Sequence, residues 1–75
     1  MVKELDIKSG EQVAEINRLA SGEPYEVWLS TDTVMLDARS LLGLFNLVGQ
    51  RVQVVAEDDI DPHRFQRLVD KMAQE

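Results

Sequence analysis

The chain has 75 residues, with 8 Lys+Arg against 14 Asp+Glu, one His, no Cys and a formal charge of −6. That length holds one domain (residues 1–75) with a small core, and a 44% hydrophobic content is enough to fold it rather than leave it disordered. The lack of Cys excludes a disulfide framework and thiolate metal sites, and eight cations scattered through an acidic chain disfavour nucleic acid and anionic lipid as partners.

The start, Met1-Val2-Lys3-Glu4-Leu5-Asp6, is acidic where a signal peptide needs a basic and then an apolar region, and no run approaches the roughly 20 apolar residues of a membrane span. A cytoplasmic protein is expected. From Lys3 to Ile7, Leu5 and Ile7 alternate with Glu4 and Asp6, the period of a strand. Ser9-Gly10-Glu11-Gln12 fits a capping box, in which the Ser9 hydroxyl accepts from the Gln12 N–H and the Gln12 side chain reaches back. The helix that follows carries Val13, Ile16, Leu19 and Ala20 at helical spacing, and Ser21-Gly22 ends it.

After Pro24, Tyr25, Val27 and Leu29 alternate with Glu26, Trp28 and Ser30. Beyond a turn at Thr31-Asp32, Val34 and Leu36 alternate with Thr33, Met35 and Asp37, so the two strands form a hairpin. Ala38 to Val48 turns helical, with Leu41, Leu44, Phe45 and Val48 on one side, and Gly49 stops it. Arg51 to Glu57 alternates again through Val52, Val54 and Ala56. Asp61 is an N-cap and Pro62 a first helical residue for a last helix with the buried stripe Phe65, Leu68, Val69 and Met72. The order β-α-β-β-α-β-α places helices over one face of one sheet, an α+β fold in two layers.

The stretch Thr33-Val34-Met35-Leu36-Asp37-Ala38-Arg39-Ser40-Leu41-Leu42-Gly43-Leu44-Phe45-Asn46-Leu47, followed by Gln53-Val54-Val55-Ala56-Glu57-Asp58, resembles HPr, the histidine-containing phosphocarrier of the bacterial phosphoenolpyruvate:sugar phosphotransferase system. Ala38-Arg39-Ser40 and Leu41 to Leu47 match the family's turn into a short Ser-apolar-apolar-Gly helix. Ala56-Glu57-Asp58 matches its Ala-Glu-Gly stretch without the Gly. The resemblance covers about the last two-thirds of the chain. It implies an open-faced β-sandwich whose antiparallel four-stranded sheet has the order 1-4-2-3, with three helices on one face.

The first third departs from the family. A phosphocarrier has Gly-x-His-Ala/Thr-Arg-Pro between its first strand and first helix, whereas this region reads Lys8-Ser9-Gly10-Glu11-Gln12-Val13-Ala14. It holds no His, Arg or Pro, and Glu11 sets a negative charge beside any phosphate. The only histidine, His63, follows Asp61-Pro62 and is ringed by Asp58, Asp59 and Asp61, which repel phosphate. It reads as a solvated residue in a helix first turn, and phosphorylation at His63 is the weakest option. The same four residues lack the Gly and bidentate Glu of a calcium loop and read as capping and solubility, so no metal is expected.

Ser40 matches the serine that an ATP-dependent kinase phosphorylates in many Gram-positive members, so it is the regulatory candidate. The plainer and preferred reading is that Ser40 or Asp37 caps the short helix. Leu44, Leu47 and Val48 can bury against the sheet. The positions of Leu41, Leu42 and Phe45 form the family's docking surface, and a run of large apolar residues that one face cannot hide suits such a patch. If Val27 and Leu29 face the helices, Trp28 faces the open side of the sheet, where Met35 and Val55 share its parity; the three suggest a patch for a dimer or a partner.

No nucleophile–base pair, metal cluster or phosphate-binding glycine loop is present, so neither an enzyme nor a cofactor is expected. Two functions follow. One is a non-catalytic HPr-like regulatory or adaptor protein that cannot carry phosphohistidine at the usual site, regulated at Ser40, monomeric or weakly homodimeric, with a kinase or carbon-metabolism regulators as partners by resemblance. The other is an interaction module that keeps the fold without a phosphotransfer role.

Overall fold

The computed structural model describes residues 1–74. Its elements are β1 (Val2–Asp6), α1 (Gly10–Ser21), β2 (Trp28–Ser30), β3 (Met35–Asp37), α2 (Leu41–Leu44) with a 3-10 turn at Phe45–Leu47, β4 (Arg51–Val55) and α3 (Pro62–Met72). All four strands pair antiparallel in the order β1-β4-β2-β3. The expected α+β sandwich is the observed one.

Strand parity decides what the helices cover. Leu5, Ile7, Val27, Leu29, Val52, Val54 and Ala56 point to one side and are buried there with Val13, Ile16 and Ala20 of α1, Leu44 and Leu47, and Phe65, Leu68, Val69 and Met72 of α3. Removing this apolar surface from water is the main favourable contribution to the fold. The opposite parity, Val2, Glu4 and Asp6, Arg51, Gln53 and Val55, Trp28 and Ser30, Met35 and Asp37, forms the face that no helix covers.

Both long helices start where side-chain chemistry directs. The Ser9 hydroxyl accepts from the Gln12 N–H at 3.1 Å, and the Asp61 carboxylate accepts from the His63 N–H at 2.9 Å, with Pro62 just inside the helix. Gln12 does reach back, to the Lys8 N–H one residue before the cap: its Oε1 accepts there at 2.7 Å. Its Nε2 donates to the carbonyls of Asp6 (3.0 Å) and Met72 (2.9 Å), with the residue only 2% exposed. One amide thereby ties the end of β1 and the end of α3 to the start of α1. Gly49, at φ +88, closes the loop before β4 and donates to the Ile7 carbonyl at 2.7 Å.

Four expectations need correction. The strand expected from Tyr25 is regular only at Trp28–Ser30, because Tyr25 and Val27 belong to the connection from α1, although Val27 is buried. Val34 does not face the core: Thr31 N–H donates to its carbonyl in a tight turn that leaves the side chain exposed. The Ala38–Val48 helix is one α-turn followed by a 3-10 turn. Leu44 and Leu47, three apart, are buried as expected, but that change of winding turns Val48 out on the exposed side with Leu41 and Phe45.

Candidate functional site

The exposed apolar surface concentrates on α2. Ala38 is buried before it, and Leu44 and Leu47 anchor it to the core. The Asn17 side chain donates to the Ala38 carbonyl at 3.3 Å, which fixes the start of this segment against α1. With its inner face so anchored, the helix presents Leu41 (38% exposed), Leu42 (83%) and Phe45 (45%) to solvent. Val48, expected to bury against the sheet, is exposed beside them, because the 3-10 turn ends at Leu47 and the chain leaves in an extended conformation. The sequence reading therefore missed Val48 as a surface residue; only the change in helical winding would have signalled it.

Phe45 also reaches the start of α1. A Cβ added to Gly10 would lie 3.3 Å from Phe45 Cε1, so the absence of a side chain at Gly10 lets the ring approach the helix terminus. Phe45, on the exposed side of its segment, thus adjoins Gly10 at the start of α1.

Ser40 stands at the N-cap position of α2 and is exposed, yet its hydroxyl makes no capping hydrogen bond. This corrects the preferred expectation that it caps the helix. At φ −91 and ψ 86 its backbone differs from that of Ser9, whose extended conformation aims the hydroxyl at the helix N–H groups. Asp37 also serves a different partner. Its Oδ1 accepts from the Arg39 N–H at 2.9 Å, and its carboxylate holds the Arg39 guanidinium at 2.8 and 3.1 Å. Hydrogen bonds from the Arg39 side chain first and its backbone N–H second, with its charge a smaller contribution, keep the Asp37 carboxyl below the usual carboxylate range. Glu26 adds a second, longer contact to Arg39 at 3.4 Å.

The acidic stretch is dispersed. Asp58 faces the Met1 amino group at 2.6 Å, Asp61 is engaged with the His63 N–H, and His63 is exposed. Among the described residues no group of three or more His, Asp or Glu is placed to hold a metal ion. No described helix is long and apolar enough to cross a membrane.

On the open face, Trp28 lies directly across from Val55, and Val55 across from Val2. Met35 is one row away, opposite Ser30, so the expected trio is a row with a diagonal neighbour. Val2, at 54% exposure, completes that row; its parity with Glu4 and Asp6 was the available signal.

No family model and no curated protein sequence matches the chain. Solved structures do. HPr-C-His from Thermoanaerobacter tengcongensis is similar over 100% of this chain and 96% of its own, with a TM-score of 0.71 and 26% identity. The phosphocarrier protein HPr from Bacillus anthracis str. Ames is similar in fold over 99% of this chain and 96% of its own, with a TM-score of 0.74 at 15% identity. The strand order, the three helices and these whole-chain likenesses agree: this is an HPr-like protein.

Proposed function

We propose that this phosphocarrier-related protein is a non-catalytic regulator or adaptor that engages protein partners through Leu41, Leu42 and Phe45 and is switched by phosphorylation of Ser40. The observation that carries the reading is the exposed apolar face of α2 beside a serine whose hydroxyl caps nothing. Large apolar side chains held outward by a helix that is anchored on its other face are the usual substance of a docking surface. A phosphate on Ser40 would bring about two negative charges to the edge of that surface, next in sequence to Arg39, and so change which partners it fits. The loop between β1 and α1 contains no histidine, and the only imidazole, His63, is at the start of α3, so phosphohistidine transfer from that loop is outside the proposal.

The test is incubation of the purified protein with ATP and an HPr kinase, beside a Ser40→Ala control, read by intact mass. Gain of one phosphate that the control lacks is the expected result. No gain, with a true HPr phosphorylated in parallel, overturns the Ser40 switch and leaves an interaction module that keeps the fold without a phosphotransfer role.

A further inference from the structure

We propose that residues 23–26, in the connection from α1 to β2, form a strap that opens as a local unit while the sheet and the helices stay intact, and that Arg64 of α3 is the residue that holds it closed. The backbone does little to fix it. At its start the Glu23 N–H donates to the Ala20 carbonyl at 3.2 Å, and just past its end the Val27 carbonyl accepts from the Ala38 N–H at 2.9 Å. Between those points, among the described residues, the backbone of Pro24, Tyr25 and Glu26 makes no hydrogen bond to other backbone groups. Local opening concentrates in segments of this kind.

Side chains hold the strap instead, and two of its residues meet at one guanidinium. Arg64 Nε donates to the Glu23 carboxylate at 2.9 Å, Nη2 lies 2.8 Å from the same oxygen, and the guanidinium carbon is 5.9 Å from the centroid of the Tyr25 ring. The Glu23 side chain is only 16% exposed, so solvent and salt screen this pair less than an ordinary surface pair. Arg64 is poorly placed for its own helix. It lies in the first turn of α3, where the positive end of the helix dipole disfavours a cation and no acidic residue of that turn offsets it. Its partners are in the strap. Tyr25 acts in both directions: its ring packs on the core, but its hydroxyl is enclosed without a hydrogen-bond partner, a loss that contact with water restores. Burial first and the charge of Glu23 second raise the phenol pKa above its ordinary value, and Arg64 opposes them. The contacts of Arg64 and the burial of one ring thus stand against one unsatisfied hydroxyl, which narrows the gap between closed and open.

Tyr25 is the only tyrosine in the chain, so O-acetylation by N-acetylimidazole, read from the mass of the peptide that carries it, reports the opening. The folded protein should react roughly tenfold or more slowly than free N-acetyltyrosinamide, at a rate that stays level at low urea because local opening exposes little surface. Amide exchange of Val52 and Val54, inside the sheet, should accelerate with urea over the same range. Arg64→Gln, at a half-exposed position, should raise the acetylation rate about fivefold, and Arg64→Lys, which keeps the charge without the planar fork, should raise it less. Tyr25→Phe removes the unpaired hydroxyl and should raise the folding equilibrium constant about threefold. Any of four results overturns the proposal. Acetylation as fast as that of the free amide leaves no closed state. Acetylation that rises with urea in step with Val52 and Val54 means that only global unfolding frees the hydroxyl. An unchanged rate in Arg64→Gln removes Arg64 as the clamp, and a less stable Tyr25→Phe shows that the hydroxyl has a partner.

Discussion

Phe45 rests its ring edge over Gly10, at a distance where the Cβ of any other residue would stand 3.3 Å from Cε1. The contact joins the outward face of α2 to the first turn of α1, and it gives Phe45 a packing role beside the docking role of the proposed function. At 45% exposure roughly half of its burial remains, so Phe45→Ala should cost about 1 kcal/mol. Leu42, at 83% exposure, touches little, and Leu42→Ser should stay within about 0.5 kcal/mol of the parent. Urea titrations of both variants check this. Leu42→Ser is then the substitution with which to probe partner binding, since it tests the surface and spares the fold.

The two serines at N-cap positions are predicted to behave differently. Ser9 accepts from the Gln12 N–H, and Ser9→Ala should lose about 1 kcal/mol. Ser40 makes no such bond, and Ser40→Ala should lose no more than about 0.3 kcal/mol. Denaturation midpoints of the pair decide it. An equal loss at both would return Ser40 to the role of a structural cap.

Much of this fold was legible because period and punctuation coincide. Leu5 and Ile7, Val52 to Ala56, and the Phe65–Met72 stripe announce their faces directly, and Ser9 and Asp61 mark the starts of helices that the structure places there. Around Ser40 the signal failed for a physical reason. Leu41, Leu42, Leu44, Phe45, Leu47 and Val48 are all apolar, so periodicity cannot say which of them face inward, and a switch from α to 3-10 winding over seven residues leaves no mark in composition. The second carbonyl held by Gln12, that of Met72, is 60 residues away, a contact that no local pattern encodes.

That amide makes a sharp prediction. Gln12 Nε2 donates to two carbonyls while Oε1 accepts from the Lys8 N–H, all in a nearly solvent-free position. Gln12→Ala leaves these groups without their side-chain partner and should cost about 2–3 kcal/mol. Gln12→Glu keeps the acceptor but turns the donor into a second oxygen facing the Asp6 and Met72 carbonyls, so at neutral pH it should cost at least as much. Burial and those two acceptors raise the introduced carboxyl, and a protonated acid can donate to one of them. The gap between Gln12→Glu and the parent should therefore narrow as pH falls through the raised pKa. Stability measured at pH 7 and pH 5 shows it.

The native carboxylates run the other way. Hydrogen bonding from Arg51 lowers Asp6, from Arg18 lowers Glu15, and from Arg39 lowers Asp37. A depressed folded-state pKa contributes stability that is present above the unfolded value, 3.8 for Asp and 4.5 for Glu, and is lost as pH falls through the folded values. The pairs are solvent-exposed and screened by salt, so the contribution is modest and acid loss should be confined to below about pH 5. Arg39→Gln removes the partner of Asp37, and its stability should decline less steeply between pH 4 and pH 2 than that of the parent. Thermal melts across that window test the slope, and identical slopes would show that the Arg39 contact does not persist in solution.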